Sequence, residues 1–344
     1  MSKRSPLQNA GGLTAGSRAV LLLLPVLAVM IALAVGRMQV SSAYIFRSVG
    51  EKFGMDAALD TQLESVLWKY RLPRILLALL VGAGLSVSGC AFQSLFANPL
   101  ATPDTLGVAS GACFGAALAL LFGAGLLWVQ GSAMLFGLLA VLLTYLAGSS
   151  KGRSPLGMMI LSGIMVGSLF TALISLVKFV ADTESQLPAI TYWLMGSMSA
   201  ANYRSLALGA PAVLIGIFVL YILRWRLNIL TLSEDEARAT GMNLPAMRAV
   251  TVLCATAVTA ACVSMCGQVG WIGLLVPHIA RMRYGNNHLA LVPASVMIGS
   301  AFTVIVDTLA RTLTPSELPL SILTAMIGAP FFIVLMRRSG GWRL

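Results

Sequence analysis

Charge is what this chain has least of. Charged residues make up 10% of its 344 positions, where a soluble domain carries roughly a quarter. That shortage excludes an ordinary water-soluble domain. Chemical motifs are missing as well. There is no GxxxxGKS/T phosphate loop and no HExxH zinc pair, which excludes ATP binding of that kind and the zinc chemistry of that motif. Cysteine is scarce: Cys90, Cys113, Cys254, Cys262 and Cys266 all fall in apolar segments without a CxxC pair. Neither a disulfide framework nor a metal site is indicated. Cys262 and Cys266, four apart, read as helix-packing residues. The histidines are limited to His278 and His288. They are expected to border a loop with Arg281 and Arg283, too exposed to ligate haem or a metal.

What is present is apolar surface, at 58% of residues. Apolar blocks recur at about 19–38, 72–93, 105–125, 127–148, 156–180, 205–223, 246–266, 270–282, 289–310 and 319–336. Most blocks are about as long as one bilayer crossing, several are short or glycine-rich and 270–282 is the weakest, so about ten helical spans are expected. Lys3, Arg4 and Arg18 precede the first block as they would in a signal peptide, but the run is long and no small-residue cleavage site follows, so a retained first span is expected. The net charge of +11 does not indicate nucleic acid, because the basic residues lie between apolar blocks rather than on one patch. Placing the N-terminus in the cytoplasm puts Lys151, Arg153, Arg224, Arg226, Arg238, Arg248, Arg281, Arg283, Arg337 and Arg338 on the same side, as the positive-inside rule prefers. Two connecting segments are long enough for structure of their own: 39–71 on the outer side and 224–245 on the inner side.

Four segments stand out. In "LSEDEARATGMNLP", Ser233 and Glu236 form a capping box, Glu234 and Asp235 favour the helix start, and Gly241 suits its end. A short polar helix is expected there, either a solvated loop element or a docking element. In "RLPR", Arg71 and Arg74 flank Pro73 at an outer helix end, where they anchor to lipid headgroups or meet carboxylates of a partner. "NPLATPDTLGVASGACFG" opens with turn signals at Asn98-Pro99 and Thr102-Pro103, offers Thr102 or Asp104 as a cap, and continues with Gly107, Gly111 and Gly115 on one helix face for close packing. "GQVGWIGLLVPH" places Gly267, Gly270 and Gly273 in an apolar region, a pattern for close approach and local unwinding. Asp307 and Arg311, one helical turn apart, are expected to pair with each other.

Taken in order, "RLPR", "NPLATPDTLGV", "LSEDEARATG", "GWIGLLVPHIAR", "DTLART" and "ELPLSILTAMIGAPFF" resemble the FecCD-type permeases, the membrane subunits of type II ABC importers, over roughly residues 65–338. The resemblance implies an all-α integral membrane protein of about ten transmembrane helices. Residues 19–338 would form the permease domain between cytoplasmic tails at 1–18 and 339–344, in the inner membrane. It implies a second permease subunit, most simply a homodimer, two cytoplasmic ATPase subunits that use ATP and Mg, and an extracytoplasmic substrate-binding protein. The chain itself would bind no cofactor and catalyse no reaction. By resemblance, Arg71, Arg74 and Arg311 dock the binding protein. Ser233, Glu234, Asp235, Glu236, Arg238 and Gly241 form the coupling element seated on the ATPase. Asn98, Pro99 and Leu100 form a cytoplasmic gate. The second gate element falls at Pro155 and Leu156, where "GRSPLGMMILSG" departs from the family pattern. The implied cargo is a bulky metal chelate, foremost a ferric siderophore, with haem, cobalamin and molybdate as alternatives. A different class, a proton-coupled secondary transporter using Asp307, would need more buried ionisable groups than the chain offers.

Overall fold

Each apolar block folds as a helix, because a backbone in hydrocarbon must satisfy its hydrogen bonds internally. The computed structural model describes residues 12–36, 38, 40–52, 60–149 and 156–338. In chain order the α-helices are α1 (Ala15–Ala34), α2 (Ser42–Lys52), α3 (Thr61–Ser65), α4 (Leu72–Leu95), α5 (Val108–Leu121), α6 (Leu126–Gly148), α7 (Leu156–Val180), α8 (Gln186–Leu194), α9 (Tyr203–Ile222), α10 (Arg224–Leu230), α11 (Glu234–Ala239), α12 (Leu244–Cys266), α13 (Ile272–Tyr284), α14 (His288–Thr312) and α15 (Leu320–Arg338). Helices α1, α4–α7, α9 and α12–α15 occupy the ten expected blocks. Among the described residues, seven helical stretches are long and apolar enough to cross a membrane; α5 and α15 supply shorter apolar stretches. The remaining one, α13, has 13 residues and ends on Arg281 and Arg283.

Two boundaries differ from expectation. Helix α1 begins at Ala15, inside the expected tail, because Thr14 accepts a hydrogen bond from the Ser17 N–H and caps it. The second span begins at Thr61 rather than near 72, so Thr61–Leu95 is one continuous helical stretch. Pro73 does not start it. The chain passes Pro73 through a widened π turn, Val66–Arg71, in which the Leu72 N–H bonds the Leu67 carbonyl. Such a turn relieves the clash between a proline ring and the preceding carbonyls.

The interior is built from α4, α12 and α14. The most apolar window of Thr61–Leu95 is 83% buried, against 17% for α1 and 28% for α6, α7 and α9, which form the periphery. Helices α4 and α14 run antiparallel at close range. Ser300 of α14 donates to the Leu79 carbonyl of α4 at 3.0 Å, while Ser86 and Thr303 return their hydroxyls to their own helices. Two of the three expected glycines pack α5 on α6: a side chain at Gly111 would meet the Phe136 carbonyl, and one at Gly115 the Ser132 carbonyl, whereas Gly107 precedes α5 at φ +74° and faces Gly163 and Gly167 of α7.

The break after α12 is the largest departure from regular helix. Gly267 takes φ +74° with its Cα face against the Trp193 carbonyl and Gly196, a place where only glycine fits without strain. The Ser197 N–H bonds the Cys266 carbonyl at 2.8 Å and holds the break to the end of α8. Trp271, also at positive φ, turns its ring under Gly328 and toward Phe332 of α15. Helix α13 then starts inside the protein, with Gly273 pressed on Gly89 of α4.

Candidate functional site

Three groups of sequence-predicted residues come together at opposite ends of this bundle. At one end, expected to face outward, the Arg71, Arg74 and Arg311 side chains line one cavity of about 300 Å³, with Tyr70, Met198 and Glu317 among its other walls. Their partners differ from expectation. Asp307 pairs with Arg74, not with Arg311. Arg74 Nε lies 3.0 and 2.9 Å from the two Asp307 oxygens, Nη2 lies 2.9 Å from Oδ1, and Nη1 reaches Glu317 Oε1 at 2.8 Å. The antiparallel packing of α4 and α14 brings these residues to one level, while the i,i+4 spacing leaves Arg311 free to turn toward α1. Arg311 donates to the Ala32 carbonyl, and Arg71 donates to the Leu33 and Met38 carbonyls. Both are buried, with relative exposures of 5% for Arg71 and 8% for Arg311. Three guanidinium groups and one carboxylate, Glu317, line the cavity, and Arg74 is paired both with Glu317 and with the buried Asp307 outside that lining.

At the opposite end, α11 has the expected form. Ser233 Oγ accepts from the Glu236 N–H, while the Ser233 N–H and O–H donate to Glu236 Oε2 at 3.1 and 2.8 Å. Gly241 closes the turn at φ +73°. Arg238 pairs with Glu234 at 2.7 Å on the exposed side. Only Ala237 is buried, so the acidic face of α11 stands free. Beside it a groove of about 410 Å³ runs between α10 and the start of α12, lined by Trp225, Arg226, Gly241, Met242 and Met247.

The Ser233 hydroxyl and N–H hold the Glu236 carboxyl below its ordinary value of 4.5. A carboxyl lowered by folding stabilises the fold above its unfolded value and loses that contribution as pH falls through the lower folded value. Amide protection factors in α11 are therefore expected to stay level above about pH 5 and to fall below about pH 4. A protection profile that is flat down to pH 3 would exclude the capping role.

The turn after α4 is an Asx turn: Asn98 Oδ1 accepts from the Leu100 N–H at 2.9 Å, and the Ala101 N–H bonds the Asn98 carbonyl. It presents Leu100 at 48% exposure. Pro155 lies outside the described residues, as does the side chain of Leu156. Thr102 caps the next turn through a box with Thr105, and Asp104 accepts from the Ala109 N–H in the first turn of α5.

One polar cluster was not legible in the sequence. His288 is buried, not exposed as expected. Its Nδ1 lies 2.8 Å from Asn228 Oδ1 on α10, and its Nε2 contacts Ser94 Oγ on α4. Arg281 donates to Gln93, whose amide donates to the Gly273 carbonyl at 3.2 Å. These bonds tie α10, the element just before α11, to the end of α4 just before the Asn98 turn. Histidine, serine and asparagine far apart in sequence carry no pattern that reveals such a link. Among the described residues no group of His, Cys, Asp or Glu is arranged to hold a metal.

A multi-pass helical bundle, with a capped acidic helix free at one end and an arginine-lined cavity at the other, has the build of a membrane transport subunit. A FecCD transport family model matches residues 22–338, and the chain belongs to that family. It is thus a permease of a type II ABC importer. It is 40% identical over 316 residues to the molybdate import system permease protein MolB of Haemophilus influenzae, covering 92% of this chain and 94% of that one. It is 36% identical over 281 residues to an iron chelatin transport system permease protein of Helicobacter pylori, covering 82% and 85%. A solved structure described as an inward-facing conformation of a metal-chelate type ABC transporter superposes with a TM-score of 0.84 at 39% identity, covering 93% of this chain and 98% of that one.

Proposed function

We propose that two copies of this chain form the pathway of an inner-membrane importer for a metal chelate, foremost a ferric siderophore. Two ATPase subunits drive it from the cytoplasm, where both termini of the chain lie, and a binding protein delivers cargo from outside. The observation that carries this reading is α11. It is a capped helix with three acids in its first turn, exposed beside an apolar groove, and it supplies both a rigid charged knob and a seat for a partner. The bonds through Asn228, His288 and Ser94 join this end to the Asn98–Leu100 turn, so a push on α11 reaches the gate through packed polar contacts. Pro155 and Leu156 complete the gate in this reading. The binding protein docks over the outer cavity. Arg71 and Arg311, whose present partners are neutral carbonyls, offer it their charge, while Arg74 is taken up by Asp307 and Glu317. The likenesses to an iron chelatin permease and a metal-chelate transporter favour a chelate cargo. Molybdate is the second reading, favoured by the likeness to MolB.

Co-purification of the chain with an ATPase subunit tests the class. Thermal stabilisation of the cognate binding protein across ferric siderophores, haem, cobalamin and molybdate tests the cargo. Glu234→Lys is expected to weaken ATPase assembly or to uncouple hydrolysis from uptake while keeping the Ser233–Glu236 cap. The exposed Arg238 pair it breaks contributes only about 0.3–0.5 kcal/mol, so a folding defect is not the expected cause. Adding Glu236→Lys also removes the return half of the capping box, the bonds from the Ser233 N–H and O–H, while Ser233 Oγ still accepts from the backbone N–H of residue 236, and size-exclusion chromatography checks the fold. Wild-type coupled uptake in the folded double variant would remove α11 from the ATPase interface.

A further inference from the structure

Helices α9 and α12 are both long and apolar enough to cross a membrane, and α9 ends at Ile222 where α12 begins at Leu244 on the same side. The groove of about 410 Å³ beside α10 opens at that level, with Leu223, Trp225, Arg226, Ala246, Met247 and Val250 among its walls. It therefore lies at the border between hydrocarbon and headgroups. Its apolar wall does not stop at the groove. Phe218, Tyr221 and Ile222 at the end of α9 are exposed, as are Val250 and Leu253 on α12. Ala246, Val250 and Leu253 share one exposed face of α12, four and three residues apart. That face continues along the span, so an acyl chain in the bilayer enters the groove without leaving apolar surface. Tyr221 and Trp225 stand at the same level, and these two aromatic types settle at membrane interfaces. The charge at the groove has one sign. Among the described residues no acid lines it, and Arg226 is the charged residue of its wall. Arg226 is exposed and forms no ion pair with a described residue. Arg224 lies over the Tyr221 ring at 4.0 Å and donates to the Tyr221 carbonyl at 2.6 Å. Asn243 and Ala246 bring the N-terminus of α12, the positive end of its dipole, to the same groove. Glu234, Asp235 and Glu236 of α11 are not among its walls, and Glu234 is paired with Arg238. A protein seated on that acidic turn does not need the membrane side of the groove.

We propose that the membrane side of this groove binds an anionic phospholipid of the adjoining leaflet, with its phosphate on Arg226 and an acyl chain along the Val250–Leu253 face of α12. The inference goes beyond the importer reading; only the naming of that leaflet as the cytoplasmic one rests on it. A guanidinium meets a phosphate with two parallel hydrogen bonds. Basic pockets between spans on the cytoplasmic side of a membrane hold acidic headgroups. Lipid in this place braces α10, the element just before α11, against α12.

The test reads the lipid beside Trp225. The full chain is reconstituted in phosphatidylcholine vesicles containing a minor fraction of either phosphatidylglycerol or phosphatidylcholine brominated high on the acyl chain. Both leaflets have the same composition, so the readout does not depend on topology. Subtracting the fluorescence of Trp225→Phe isolates the quenching of Trp225. Brominated phosphatidylglycerol is expected to quench as though enriched about fivefold over brominated phosphatidylcholine, the factor that one arginine near a membrane surface contributes. Arg226→Gln brings this ratio toward one, and Arg226→Lys keeps most of it. Ala246→Phe fills the groove without changing the charge and also brings the ratio toward one. Arg283→Gln removes an equal charge from an exposed position at the end of α13 and leaves the ratio unchanged. A wild-type ratio near one, or a ratio that survives Arg226→Gln, would overturn the proposal. So would a ratio that survives Ala246→Phe or falls equally in Arg283→Gln, since either result means diffuse attraction to the charge of the chain. Should Ala246→Phe not reconstitute, Val250→Phe blocks the same wall. Loss of the enrichment when a co-purified ATPase is bound would give the groove to that protein instead. An enriched chain that assembles with no ATPase would count against the importer reading alone.

Discussion

Replacing Arg74 by Ala is expected to destabilise the protein by about 3–5 kcal/mol, the cost of leaving a buried charge without its partner. The Asp307 side chain is only 3% exposed and receives three hydrogen bonds from Arg74. Removing the guanidinium strands that carboxylate between α4 and α14 and releases Glu317 as well. Arg311 is not placed to replace it, because its own guanidinium is turned to the Ala32 carbonyl. Asp307→Asn is expected to cost less, about 1–3 kcal/mol, since an amide oxygen still accepts from Arg74. The double variant should cost less than the two singles added, by about 0.5–3 kcal/mol. Thermal unfolding of the purified chain in detergent measures all three. An Arg74→Ala variant within about 0.5 kcal/mol of wild type would show that the pair is not a structural joint. The same geometry bears on the secondary-transporter alternative. A proton arriving at Asp307 would have to displace the Arg74 bonds that hold two helices together. Folded Asp307→Asn should accordingly retain most ATP-driven uptake.

The second large effect is expected at Gly89. An added Cβ there would stand 1.9 Å from the Gly273 carbonyl oxygen and 2.6 Å from its carbon. Both neighbours are backbone, so no side chain can swing aside; α4 and α13 must separate. Gly89→Ala is expected to destabilise by about 1–3 kcal/mol or more. It should also loosen the Gln93 bond to the Gly273 carbonyl. Gly131 on α6 is the control, because its Cβ would meet nothing within 4 Å. Gly131→Ala should be neutral or stabilising by up to about 1 kcal/mol. Equal melting temperatures for the two variants would show that the α4–α13 contact has room to spare.

The positions of the helices and the form of α11 were legible in the sequence. Hydrocarbon length, backbone satisfaction and the reciprocal cap of Ser233 and Glu236 are local rules, and each operates within one segment. The close glycine packing of α5 was legible for the same reason, since small residues four apart share a face whatever they meet. The partners were not. Asp307 has Arg311 one turn away in sequence, yet antiparallel packing puts Arg74 nearer, and Arg311 turns to the end of α1. His288, placed by the sequence at the border of a loop with Arg281 and Arg283, is buried, and α10 brings Asn228 onto it. Local sequence determined which segments would be helices, how they would be capped, and that they would lie in a membrane. Only the tertiary packing decided which charges pair and which arginines stay free of acids, because those outcomes depend on distances between segments far apart in the chain.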